Sequence, residues 1–389
     1  MSTQVEEIVL DKLSLFTQEI NELRKEIKSS IGIKDYKHLL KIEWWGRICA
    51  ILGYATAWII PNPISAFFIS TGNFARWTMI THHISHRAYD TIEGVPNRYK
   101  SKFYASGFRR YFDWLDWMHP KAWDYEHNFL HHYHTGEIKD PDLVEYNLEF
   151  LRKSRLPLFI KYIIILFFVL TWKYTYYTPN TLMELQRKRL KEEHRKNPDF
   201  PYESEMGKVA HIWNLFFPVH KYAVEVWIKC VLPYIILRFG FIPLLFLPLG
   251  ESAYFAVLIN SLIAECMANV HSFIIIASNH AGEDLYRFDE KFKNKQEFYL
   301  RQVITSCNYK TGNDVLNFMQ GYLNFQIEHH LFPDVPMLKY KEYQPRVKAI
   351  CEKYNIPYKQ ESFSKRLRKM LDIAVGKSSM KRVKTMEWV

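Results

Sequence analysis

Thiols are scarce in this 389-residue chain and never arranged for chemistry. The five cysteines, Cys49, Cys230, Cys266, Cys307 and Cys351, are scattered, and no two form a CxxC. An odd, dispersed set excludes a disulfide framework, a zinc ribbon and an iron–sulfur ligand set, and a reducing cytoplasmic setting is the simpler reading. No GxGxxG loop is present to cradle a dinucleotide. Internal repeats, low-complexity tracts and a clear linker to a second domain are all missing. The stretch "MSTQVEEIVLDKLSLF" carries acidic residues where a signal peptide has basic ones, and lacks a long apolar run. Membrane insertion is therefore expected from internal segments.

Apolar and basic residues are what the chain has in quantity. Hydrophobic residues make up 48% and aromatics 16%, yet the mean hydropathy is only −0.23, so long apolar segments must alternate with a large polar part. A net charge of +11 suits anionic lipid headgroups, nucleic acid or an acidic protein. The apolar segments favour the first and third, and no nucleic-acid motif is recognisable.

Residues 1–43 read as an amphipathic cytoplasmic arm, with Val5, Ile8, Leu13, Phe16, Ile20 and Leu23 at helical spacing. Four stretches of about the length needed to span a bilayer follow, at 44–60, 64–81, 224–249 and 254–277. They pair into two hairpins through the short links "PNP" and "GES". A fifth run, 162–172, is short and flanked by Lys and Arg at both ends, so it is expected to be re-entrant or interfacial. All large polar segments then lie on one Lys/Arg-rich face, ending in a basic tail over 351–389. The expected fold is an all-α integral membrane protein of two transmembrane helical hairpins, with a cytoplasmic helical cap.

The 16 histidines are unevenly distributed. "HHISH" supplies His82, His83 and His86 where the second span ends, and "HNFLHHYH" supplies His127, His131, His132 and His134. "SNHAGEDLY" supplies His280 just past the last span, and "QIEHH" supplies His329 and His330. On a helix, His82 and His86, or His127 and His131, project from one face. Adjacent histidines point about 100° apart, so His131–His132 and His329–His330 suit two metals side by side, each taking one member. Imidazole suits zinc, copper, iron and nickel alike. A set of histidines without thiolates at a membrane face favours oxygen-activating iron over structural zinc. Isolated histidines (His38, His119, His194, His211, His220, His271) read as ordinary core or surface residues.

In this order and setting, HHISH, HNFLHH and QIEHH resemble the three histidine boxes of membrane-bound fatty acid desaturases. "NFQIEHHLFP", and "HHYHTGEIKDPDL" with its Asp-Pro-Asp, resemble the acyl-lipid and front-end branch. The resemblance covers about 44–350, the expected desaturase domain. It implies two irons held by His82, His86, His127, His131, His132, His280, His329 and His330. Gln326 stands where many members have histidine, and box two has one more residue between its first histidine and the pair than front-end enzymes commonly have. The implied reaction uses O2 and two electrons to place a double bond in a long acyl chain, on a membrane lipid or on CoA. Hydroxylase, conjugase and ketolase outcomes belong to the same histidine-box superfamily. A non-enzymatic metal-binding or transport protein would instead place histidines along its spans.

Further candidates surround this set. His83, His134, Asp140, Asp142, Glu283, Asp284 and Glu328 are candidates to touch a metal or to orient imidazoles. Ser261, Glu265 and Asn269 share one face of the last span and suit either a bundle core or a substrate channel. "YFDWLDWMHPKAW" reads as an interfacial helix. With no HPGG of a fused cytochrome b5 in the chain, electrons are expected from a separate donor, cytochrome b5 or ferredoxin with its reductase. The active site is expected to face the cytoplasm.

Overall fold

A computed structural model describes residues 3–383; the side chains of Val5 and Ile8 and the last residues of the basic tail lie outside the described part. Helices dominate, joined by two short parallel strand pairs, Tyr286–Phe288 with Lys381–Val383 and Asn308–Tyr309 with Gln360–Glu361.

The first hairpin is built by small residues. Asn62 caps the second helix by accepting from the Ser65 amide, and Pro63 occupies its first turn. Helices Ile33–Ala57 and Pro63–Ala75 meet along Gly46, Gly53 and Gly72. A Cβ on Gly53 would lie 2.8 Å from the Ile69 amide nitrogen, so only glycine permits this approach. The second helix continues through a π turn, Arg76–Thr81, into His82–Ser85.

Among the described residues, three helices are long and apolar enough to cross a membrane: Leu158–Lys196, Lys221–Leu249 and Glu251–Ala277. The last two coincide with the expected spans 224–249 and 254–277. The first extends well beyond the short run expected at 162–172. Its flanking charges are disposed of inside the protein: Lys173 is buried, 2.5 Å from Asp116 and 4.5 Å from the centre of the Trp77 ring. Lys161 donates to the carbonyls of Arg152 and Val375. A π turn, Lys173–Tyr177, carries the helix past the charge. The helices of the first hairpin are not among the three; Glu43, Arg47, Asn73 and Arg76 dilute their apolar character.

Ser261, Glu265 and Asn269 lie buried along helix Glu251–Ala277. Glu265 accepts from Trp117 Nε1 at 2.7 Å and from the Tyr234 hydroxyl. Asn269 accepts from the Lys173 amide, and its own carbonyl accepts from Trp172 Nε1. This face therefore ties the three long helices together in the bundle core.

The stretch 111–123 is not one interfacial helix. It forms a short turn, Arg110–Asp113, an irregular segment, and a second helix beginning at Pro120, with Trp114, Trp117, Met118 and Trp123 buried. Pro120 sets the break, because its ring fixes a first helical turn and cannot continue a preceding one.

Segments near both ends of the described residues pack against the helical body. The arm, Thr3–Ser29, buries Leu13, Phe16, Ile20, Leu23 and Ile27 and pairs Arg24 with Asp334 at 2.8 Å. The tail carries helix Phe363–Val375, which buries Arg366, Met370 and Ile373.

Candidate metal centre

Four separate segments bring the histidines together. The helix end at His82–Ser85, the helix containing the π turn Glu126–His131, the turn after Ala277, and helix Gln326–Leu331 converge on one buried volume. Both of the first two segments carry a π turn at or just before their histidines, and such turns recur at functional sites because they re-aim side chains.

The rings fall mainly into two groups, and His127 and His131 also form a third set with Asp142. His82, His86, His127, His132 and His329 offer nitrogens within 4.8 Å of one another, and His131, His280 and His330 form a second such set. Each adjacent pair is split between the groups, His131 from His132 and His329 from His330. Within the first group, His127 Nε2 lies 2.9 Å from His82 Nε2 and 3.2 Å from His132 Nε2. Within the second, His280 Nε2 lies 3.2 Å from His330 Nε2.

This donor set fits metal ions. Nitrogens about 2.1 Å from one ion, at right angles, are about 3 Å apart, which is the spacing found. Buried imidazole nitrogens without a partner among the described residues include His86 Nε2 and His329 Nε2, an expensive arrangement unless something binds them. Burial, reinforced by the neighbouring rings, pushes His86, His127, His132, His329 and His330 well below the ordinary imidazole range. Burial also lowers His82 to about 4 and His280 to about 3. Neutral rings keep the lone pairs that a metal needs.

The far nitrogens of four rings are held by the protein. His131 Nδ1 donates to Asp140 at 2.9 Å, and that carboxylate also accepts from the amides of Gly136 and Asp142. Burial alone would lower His131, but attraction to Asp140 and the bond to it raise it overall. His82 Nδ1 meets the Thr78 carbonyl at 3.1 Å, His330 Nδ1 meets Gln302 Oε1 at 3.0 Å, and His329 Nδ1 meets the Tyr340 hydroxyl at 3.2 Å. Donation from Nδ1 leaves Nε2 free to face an ion. Trp123 stacks on the His127 ring, with ring centres 4.6 Å apart.

The remaining candidates separate clearly. Gln326 Nε2 is 2.8 Å from His280 Nε2, so this side chain borders the second group. Asp142 Oδ2 lies 3.7 Å from His131 Nδ1, and burial pushes its carboxyl up to about 6. His134 bonds Glu137 at 2.7 Å, away from both groups. His83 is buried beside His329 and Tyr340 and belongs to neither group. Glu328 accepts from Asn308 and Tyr358, while Glu283 and Asp284 pair with Lys369 and Arg366. None of these last three bonds a histidine among the described residues.

Sequence reasoning missed Gln302, Tyr340, Trp123 and Glu126. Trp123 stands four residues before His127, a spacing that places both on one helical face. Gln302 and Tyr340 carry no local signal. Glu126 is fully buried with both carboxylate oxygens unpartnered, and burial raises its carboxyl well above the ordinary range.

An apolar cavity of about 640 Å³ opens against this centre, with Asp142 and His280 in its lining. Most of its wall comes from helix Leu158–Lys196, including Ile165, Phe168 and Trp172, and from Phe273, Ile276 and Ala277. Glu265 and Asn269 are not among its lining residues.

Long apolar helices together with a buried histidine cluster that could hold metal define a membrane protein with a candidate metal site. A family model for fatty acid desaturases matches residues 56–362, and the chain belongs to that family. It is thus an oxidoreductase, a membrane fatty acid desaturase. A relative from Mycobacterium tuberculosis, called an NADPH-dependent stearoyl-CoA 9-desaturase, is 25% identical over 364 residues, 89% of this chain and 75% of its own length. A Delta(5) fatty acid desaturase A from Dictyostelium discoideum is 31% identical across 132 residues, 32% of this chain and 28% of its own. An acyl-lipid (9-3)-desaturase from Physcomitrium patens is 29% identical across 102 residues, 26% of this chain and 18% of its own.

Proposed function

We propose that this desaturase removes two hydrogens from a long acyl chain, presented on a membrane lipid or on CoA, at a two-iron centre facing the cytoplasm. His82, His86, His127, His132 and His329 would hold one iron, and His131, His280 and His330 the other, with Gln326 beside the second. Bound iron, with O2 and two electrons, supplies the oxidising power that acid–base side chains lack. The observation carrying the reading is the apolar cavity that ends at His280 and Asp142.

The residues of the chain divide the remaining work. Ile165, Phe168, Trp172 and Phe273 grip a hydrocarbon chain and exclude water from it. Ala277 leaves room beside His280 for the carbon to be attacked. Asp140, Gln302, Tyr340 and the Thr78 carbonyl fix ring orientation, so that the nitrogens need not reorganise during turnover. Electrons come from a separate acidic carrier, a cytochrome b5 or a ferredoxin with its reductase, docking on the basic face.

Fatty-acid profiling by mass spectrometry, with and without expression of the gene, tests this. A product two hydrogens lighter is expected, formed only with oxygen, from protein holding about two irons per chain. It should vanish in His329→Ala. Zinc in place of iron, with no effect of oxygen on the lipids, would overturn the reading.

A further inference from the structure

His280 stands beyond a helix end, in the turn after Ala277, where backbone regularity ends. The group that grips this turn comes from the far end of the chain. Arg366, on helix Phe363–Val375, is fully buried beneath it. Its Nε donates to the Ser278 carbonyl at 3.2 Å and its Nη2 to the Ala281 carbonyl at 2.9 Å, one on each side of His280. Its Nη1 bonds Asp284 at 2.7 Å and Glu361 at 3.2 Å. Lys369 closes the ring of charges, 3.0 Å from Asp284 and 2.8 Å from Glu361.

Gly282 completes the fit. A Cβ there would lie 2.7 Å from Arg366 Nη2, so the guanidinium lies flat against a backbone bare of side chain. Only a planar fork with several fixed donors can reach both carbonyls and both carboxylates at once; a lysine in its place would offer a single point charge. The turn is further stitched by Cys307 N donating to the Asn279 carbonyl at 3.0 Å.

We infer that Arg366 is a positioning residue for His280, clamping the 278–281 turn so that the imidazole joins His131 and His330 around one metal. The tail helix is thus part of the site rather than a solvated appendage. The inference rests on the reading of those three histidines as ligands of one iron.

The test uses the full-length enzyme, loaded with ⁵⁷Fe in detergent, as wild type, Arg366→Gln, Arg366→Lys and Gly282→Ala. Iron per chain is measured by mass spectrometry and the two sites by Mössbauer spectroscopy, with thermal unfolding as a check of the fold. In the Arg366 variants, iron should fall from about two to about one per chain, with one quadrupole doublet kept and the other lost. Gly282→Ala keeps the arginine but pushes its guanidinium aside, and should perturb the same doublet. Two irons with unchanged doublets in folded Arg366 variants would overturn the inference. Equal loss of both irons would also overturn it, because that marks general damage to the cap. A wild type without iron would instead refute the two-iron reading on which the inference stands.

Discussion

Asp140 shows how one carboxylate orients an imidazole from behind. It receives the His131 Nδ1 proton and two backbone amides, so the ring is locked with Nε2 toward His280 and His330. Asp140→Asn keeps the shape and removes the charge, and iron affinity should fall by about 10- to 100-fold in metal titrations. Glu283→Gln, on a half-exposed side chain that pairs only with Lys369, should leave the titration unchanged. The histidine boxes themselves were legible because HxxxH and HH spacings state which rings share a face. Asp140 was legible as a candidate only. Gln302 and Tyr340 were not, because the helices that carry them reach the histidines only through tertiary packing.

Among the elements, the first hairpin depends on close backbone approach. Gly53→Ala would drive a Cβ into Ile69 and the Ser65 carbonyl, and should destabilise the protein by about 1–3 kcal/mol. A lowered thermal midpoint in detergent checks this. Gly240, with nothing within 4 Å of where its Cβ would be, gives the opposite expectation: Gly240→Ala should be neutral or stabilise the protein, by about 0.5–1 kcal/mol at most. Helix Leu158–Lys196 shows why element boundaries escape sequence reading. Lys161 and Lys173 mark ends to a hydropathy argument, yet both are buried, Lys173 against Asp116 and Lys161 against two carbonyls. A buried charge with its partners in place no longer interrupts a helix.

At the scale of the whole molecule, the apolar cavity borders the histidine cluster, with helix Leu158–Lys196 supplying much of its wall and His280 part of its lining. Ala277→Phe would fill the end of the cavity next to His280. Turnover of long acyl chains should fall by about tenfold or more, a barrier increase of about 1.4 kcal/mol, while iron content stays at the wild-type level. Product analysis alongside metal analysis checks both halves of that outcome.

By itself the sequence determined the chemistry: histidines without thiolates, spaced for helical faces, beside apolar runs of membrane length. Those properties are local, carried by side-chain type and by the 3.6-residue turn of the helix. Tertiary structure alone decided how the histidines group, which carboxylates touch them, and that a tail helix bears on the turn carrying His280. Such neighbours are chosen by packing, because each buried polar group must find a partner wherever the folded chain supplies one. The pair in "QIEHH" announced a metal site; its division between two groups was set by helices from four distant segments.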